Sequence, residues 1–284
     1  MKPFIKKLLT VYFLLAVLGL LLFKLIFDVP QQPLQFVIGS NQDSLIPFCY
    51  HNASPEPVDK NGQLNLLVWN IYKQNRSNWN KALDAFSQDA QLLLLQEASL
   101  SDEFKSWIKK QEWDSNYLQA FSAFKTSAGV VNLANQFPTT ACGYRVMEPW
   151  LQLPKSGLYA EYLLSNGQTL AVVNIHAINF TLGTKDYQQQ IQVFKQNLLL
   201  HSGPIIVAGD FNTWSEDRLA SLRQQLDVLQ LTEVNFIPDN RKRFLNGMPL
   251  DHVFYKRLTL ISAEAPITDA SDHNPLLVSF ALNN

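Results

Sequence analysis

The sequence predicts a mixed α/β domain, two sheets packed face to face with helices outside, behind an N-terminal helix of membrane length. Three observations point there. Short apolar runs bounded by polar residues alternate with stretches of helical spacing from residue 64 onwards. Hairpin-like strand pairs recur, the clearest around Asn166-Gly167, a dipeptide that type I′ turns prefer. Finally, Leu8 to Phe27 reads LLTVYFLLAVLGLLLFKLIF, an apolar run with one charge.

That run is long enough to cross a bilayer as a helix. Lys24 lies near its far end, where a long stem carries the ammonium to the interface. A cleaved signal peptide shares these parts, but no small-x-small site directly follows the run, so an uncleaved anchor is the favoured reading. A buried core helix would show one polar face, and this stretch shows none. Lys2, Lys6 and Lys7 precede the run and Asp28 follows it, so the positive-inside rule keeps the N-terminus in the cytoplasm and sends the rest across. The expected plan is a stub and anchor over 1–28, a linker or irregular lead-in over 29–62, and one folded domain over 63–284. The lead-in follows from Pro30, Pro33, Pro47, Pro55 and Pro57, with no persistent period among them. If the anchor is not inserted, the same domain is cytoplasmic.

Within the domain, LNLLVWN (64–70) and AQLLLLQE (90–97) read as strands, and Trp79, Leu83 and Phe86 between them recur at helical spacing. Ser101 is placed to cap a helix bearing Phe104, Trp107 and Ile108. Residues 158–177 form two β-like runs, and Tyr187, Ile191, Phe194 and Leu198 mark an amphipathic helix ending near Gly203-Pro204. A buried strand follows from Pro204 to Ala208, and the C-terminal stretches PLDHVFYKRLTLISAEAPI and LLVSFAL are again strand-like.

Composition narrows the function. Residues 1 to 28 hold four lysines and one aspartate, so the remainder carries 19 basic and 23 acidic residues, a net charge of −4. That excludes a protein holding nucleic acid by bulk charge. Cys49 and Cys142 are too few for a metal pair or a disulfide framework; they are either free thiols or, in an exported domain, partners.

Polar residues collect at strand ends, where packing alone asks for none. Asn70 and Glu97 end the first two strands; Asn174 and His176 end the hairpin's return strand; Asp210 and Asn212 end the next. Asp251 and His252 begin a later strand, and Asp272, His273 and Asn274 precede the last. Residues two apart on a strand point the same way, so Asn174 with His176, and Asp210 with Asn212, face one cleft. Taken singly, each has a bland reading as a turn or capping residue. Carboxylates with amide oxygens suit a hard cation, and imidazoles beside carboxylates supply a proton carrier. Together they suit attack of water on phosphorus.

LLVWNIY, LLLQE, VVNIHAINF, VAGDFNTW, LDHVF and ASDHNPLLV, in this order, resemble the endonuclease/exonuclease/phosphatase superfamily over about residues 64 to 281, in wording most like a bacterial branch of it. The resemblance implies an α+β, four-layer α/β/β/α sandwich of the DNase I-like kind and a divalent-metal-dependent phosphoesterase, with a phosphodiester as the preferred bond. It implies Mg²⁺, or Mn²⁺ in its place, held by Glu97 as principal ligand with Asn70 and Asp272. Asp210 would align or deprotonate the attacking water, and Asn212 would hold that water or the phosphate. His273, oriented by Asp251, would bond the phosphate, and His176 stands where DNase I-like members keep a histidine. His252 and Asn274 match no role, and Asn174 is expected to position His176. Two departures stand out. Gln136 occupies the place of a family arginine, and the cluster Arg241, Lys242, Arg243 is either a solvated loop or a phosphate contact, with the loop favoured. The substrate is a phosphate ester, nucleic acid or lipid headgroup, and the membrane is the other partner, through residues 8–27. A catalytically silent binding domain on the same fold is the alternative.

Overall fold

The computed structural model describes residues 2–39, 43–124, 126–181 and 183–283. Helix α1 (Lys2–Ile26) contains the apolar run; its stretch from Phe4 to Ile26 has a mean hydropathy of 2.5, long and apolar enough to cross a membrane, and none of it is buried. No flexible tether follows. Strand β1 (Phe27–Asp28) begins at the next residue.

The lead-in differs from the expected linker. It carries β2 (Leu34–Ile38), β3 (Asp43–Pro47) and β4 (Cys49–His51). Proline hid them: Pro33 precedes β2, and Pro47 closes β3, which lies at a sheet edge where a missing N–H costs little. β4 pairs with a later strand, and Cys49 is disulfide-bonded to Cys142 opposite it.

The chain continues with β5 (Gln63–Asn70), α2 (Trp79–Ser87), β6 (Leu92–Ala98), α3 (Asp102–Lys110), β7 (Asp114–Ala123), β8 (Thr126–Ala134) and β9 (Thr140–Met147). Then come β10 (Pro154–Leu163), β11 (Thr169–His176), α4 (Lys185–Leu200), β12 (Ile205–Asp210), α5 (Glu216–Asp227), β13 (Thr232–Glu233), β14 (Asp251–Lys256), β15 (Leu258–Glu264) and β16 (Leu276–Leu282). One sheet runs β15-β16-β5-β6-β8-β7-β2-β3 with β1 added on β7; the other runs β13-β14-β12-β11-β10-β9-β4.

Strand parity builds the layers. On β5 and β6, Leu64, Leu66, Val68, Leu92 and Leu94 face Val172, Ile206, Ala208 and Val253 of the other sheet. Their neighbours Leu67, Trp69, Leu93 and Leu95 face outward onto Trp79, Leu83, Phe104 and Trp107 of α2 and α3. Val173, Ile175 and Val207 turn the other way, onto Ile191, Phe194, Leu222 and Leu226 of α4 and α5. Each such side chain withdrawn from water contributes roughly 1.5–3 kcal/mol. The result is the four-layer α/β/β/α sandwich.

Local signals explain most elements. Ser101 Oγ accepts from the Phe104 N–H at 3.2 Å, capping α3 as its sequence predicts. α5, which the hydrophobic pattern does not announce, has the same device: Ser215 accepts from Arg218 N–H, with Glu216 and Asp217 in the first turn. The Asn166-Gly167 turn is not type I′. Leu164 O accepts from Gly167 N–H at 2.9 Å and only Gly167 has positive φ (80°), so the loop is a longer turn closed by a left-handed glycine.

Candidate active site

β5, β6, β11 and β12 all end at one rim of the sandwich, where the antiparallel β14 and β16 begin (Asp210 pairs with Asp251, Leu276 with Val68). The inner-face parity that buries Val68, Leu94, Ala208 and Val253 carries on into Asn70, Gln96, Asp210 and Asp251. Polar groups therefore meet where the two sheets open to solvent. Gly209 makes the approach feasible: its φ is 139°, and a Cβ there would lie 2.0 Å from Ile175 O. Glu97 (φ 51°) and Asn212 (φ 49°) sit in the left-handed region, which redirects each chain at its strand end and is a strain typical of functional positions.

Asp210 is the hub. Its Oδ2 accepts from Asn70 Nδ2 at 3.0 Å, bridging the sheets, and its Oδ1 accepts from the Asn212 N–H at 3.0 Å. His176 Nε2 lies 3.5 Å from Asp210 Oδ2 and 3.8 Å from Glu97 Oε1. His273 Nδ1 donates to Asp251 Oδ2 at 2.8 Å. The loop carrying His273 is fastened to β5: Trp69 Nε1 donates to His273 O, Ser271 Oγ to Asn70 O, and the His273 N–H to Ser271 Oγ.

The two histidines hold opposite charge states. Burial first, then the Lys155 ammonium, pulls His176 down to about 4, so it is neutral at pH 7. Burial also disfavours charge on His273, but the charge and hydrogen bond of Asp251, joined by Asp210 and Asp272, outweigh it and raise His273 to about 10. Burial likewise works against ionised Glu97, yet His176, Lys73 and Lys155 hold it at about 2. A pair of titratable groups pushed apart in this way is the mark of divided acid and base roles.

Residues 67–273 match the model of the Endonuclease/Exonuclease/phosphatase family. The chain belongs to that family. It is 56% identical over 272 residues to a UPF0294 protein of Vibrio campbellii, covering 95% of this chain and 96% of the relative. Among solved structures, an endonuclease/exonuclease/phosphatase from Beutenbergia cavernae superposes with a TM-score of 0.62 at 15% identity, covering 78% of this chain and 72% of that one. ANGEL2, a 2′,3′-cyclic phosphatase, gives 0.63 at 15% identity, with 78% and 95% covered. These likenesses carry the fold.

Two cations absent from the sequence-predicted set enter this family site. Lys73, on a turn whose residues Tyr72, Lys73 and Gln74 all have positive φ, pairs with Glu97 Oε2. Lys155 Nζ is 2.9 Å from His176 Nε2, so the ammonium donates to a ring nitrogen that must be bare. Lys73, Lys155, Glu97, His176 and Phe121 line a cleft of about 40 Å³. Their signal is thin: a lysine after NIY, and another between Pro154 and Ser156, carry no pattern that separates them from surface lysines. They bring positive charge to the site, whereas Gln136, expected in the place of a family arginine, lies at the opposite end of the sandwich: β8 runs away from the rim, and Asn135 N–H donates to Gln91 O just before β6.

The remaining predicted residues separate. Asn212 Nδ2 donates to Ala177 O at 2.9 Å. Asn174 does not touch His176. It lies deeper between the sheets, where its Nδ2 reaches Val131 O and Asn132 Oδ1 and its Oδ1 accepts from Gln96 Nε2. His252 is fully buried between Glu233 (2.7 Å) and Thr213 (2.8 Å), and Asn274 braces Thr268 and Asn240, both structural. Asp272 is exposed beside His273. Arg241 and Arg243 are spent on Asp239.

The donor set fits a hard divalent cation. Glu97 is ionised, and its side chain keeps 20% exposure at the rim. Asn70 Oδ1 accepts one bond, from the Tyr72 N–H, and keeps a second lone pair; no thiolate competes for a softer metal, since both cysteines are bonded to each other. Asp210, Asp251 and His273 also offer atoms within 4.8 Å of one another. A protonated His273 donates rather than ligates, so that group is an acid beside a dyad.

Proposed function

We propose that the chain is a divalent-metal-dependent phosphoesterase that hydrolyses a phosphodiester by in-line attack of water. Family members are hydrolases of phosphoester bonds. The observation that carries the reading is Asp210, fixed to both sheets, beside a neutral His176, with a protonated His273 nearby.

Asp210 orients the water and takes its proton. Among the described residues Asn212 Oδ1 takes no hydrogen bond while its Nδ2 is committed, so Asn212 presents an acceptor and suits the water rather than the phosphate. His273, its Nδ1 tied to Asp251, offers Nε2–H to the phosphate oxygens. Lys73 and Lys155 add charge on the opposite side. Glu97, with Asn70 and Asp272, would hold Mg²⁺ or Mn²⁺, which supplies charge neutralisation of the phosphate.

The domain lies outside the cytoplasm in this reading, anchored by residues 8–27. The lysines in the first turns of α1, ahead of its apolar run, support that orientation, and the Cys49–Cys142 bond supports an oxidising compartment. Hydrolysis of a soluble chromogenic phosphodiester by the full chain in detergent, with Mg²⁺ or EDTA, tests the chemistry. Turnover should need the metal and fall by at least roughly 10²-fold in Asp210→Ala and in His273→Ala. Full activity in both variants sinks the reading.

A further inference from the structure

α1 leaves the domain at the rim that holds the site. Phe27 and Asp28 pair with Ala123 and Ser122 at the end of β7, and the Phe124 N–H donates to Ile26 O at 3.1 Å. The connection is a sheet register, so the helix cannot swing freely relative to the strands. Phe23 packs tilted against Phe27 at 4.9 Å between centroids, and Phe27 meets Phe121 edge-on at 6.2 Å. Phe121 also lines the cleft beside Glu97 and His176. One aromatic side chain thus separates the end of the apolar helix from the candidate catalytic groups.

The same rim carries exposed large apolar residues on successive loops. Phe124 (77% exposed) tips the β7–β8 hairpin; Met147, Trp150 (59%) and Leu151 tip β9–β10; Phe180 (49%) follows β11. Scattered singly, such residues need no explanation. Here they sit on neighbouring loops of one end, continuous with a membrane-length helix, and three are aromatic, as at membrane–water interfaces. The net charge of −4 argues against polybasic attraction to a membrane surface, leaving apolar insertion as the means of contact.

We infer that this rim rests on the bilayer surface from which α1 emerges, and that the site takes its phosphodiester from that surface, as a phospholipid headgroup. The substrate assignment rests on the phosphoesterase reading above; the docking does not. Hydrolysis there breaks one P–O ester bond. The water oxygen bonds to phosphorus, one of its protons ends on the released alcohol oxygen, and the other leaves with the new phosphomonoester acid.

The test uses the full chain in vesicles of phosphatidylethanolamine with a minority of phosphatidylglycerol. α1 contains no tryptophan, Trp69, Trp79, Trp107 and Trp113 are buried, and Trp214 is half-buried against Arg218 and Phe244, so quenching by brominated acyl chains reports the rim, through exposed Trp150 above all. Quenching is expected in the wild type and is expected to be mostly lost in Trp150→Phe; no quenching in the wild type overturns the docking. Replacing Phe124, Trp150 and Phe180 together by serine should lower release of headgroup phosphate by at least about tenfold, with turnover of a soluble diester kept within about twofold. Soluble-diester turnover without release from the vesicles overturns the lipid assignment. Quenching with no turnover of either substrate leaves the docking standing and removes the phosphoesterase reading.

Discussion

Asp251 and His273, 22 residues apart in sequence, meet at 2.8 Å, and the contact keeps an imidazole buried and charged. Replacing the carboxylate tests that directly. In Asp251→Asn, the His273 pKa should fall from about 10, and the alkaline limb of kcat/KM should fall with it, with kcat at pH 8 lower by roughly 10²-fold or more. Stability follows the same sign. The folded value lies above the ordinary ~6.5, so the pairing stabilises fully below that pH and its contribution fades as pH rises through about 10. Urea midpoints of the wild type should decline across that window, and those of the variant should stay level. An imidazole resonance that titrates unchanged in the variant refutes the dyad.

Much of this was legible because burial writes a period. β5 and β6 alternate between two cores, and α2 to α4 show their apolar stripes, so these elements could be placed from residue spacing. The acids and imidazoles stood out as polar endings to apolar strands. What stayed hidden lacked such contrast. Of the lead-in prolines, Pro33 and Pro47 sit at strand ends rather than breaking anything, and edge strand β3 alternates only between exposed and half-buried. Asn174 shares a strand face with His176, and parity alone does not say that one lies a layer deeper, in a network with Gln96 and Asn132. Nor does parity distinguish the two site lysines from surface ones.

The disulfide holds the lead-in to the sheet. Cys49 faces Cys142 in the β4–β9 register across 93 residues of chain, a loop whose closure is worth about 4–5 kcal/mol in the chain-entropy account. Cys49→Ser should therefore lower the melting temperature by roughly 10 °C or more, and Cys142→Ser by a similar amount. Limited proteolysis should then cut first between β3 and β5. A melting temperature unchanged in both variants would show that the bond contributes nothing to the fold.

Lys155 supplies the sharpest test of how the site sets its protonation. After burial, its ammonium is the largest influence holding His176 neutral, and it donates to Nε2 at 2.9 Å. Lys155→Met leaves Asp210 and Glu97 as the dominant charged neighbours, both of which favour the imidazolium. The His176 pKa should rise from about 4, shifting the acid limb of the pH profile upward, and kcat/KM should drop by roughly tenfold as a phosphate-facing cation is lost. Lys155→Arg keeps the charge and should keep the pKa low even where the geometry costs some rate. The discriminating readout is the imidazole titration by NMR. If Met and Arg variants titrate alike, Lys155 does not set the state of His176, and the pairing is a packing contact only.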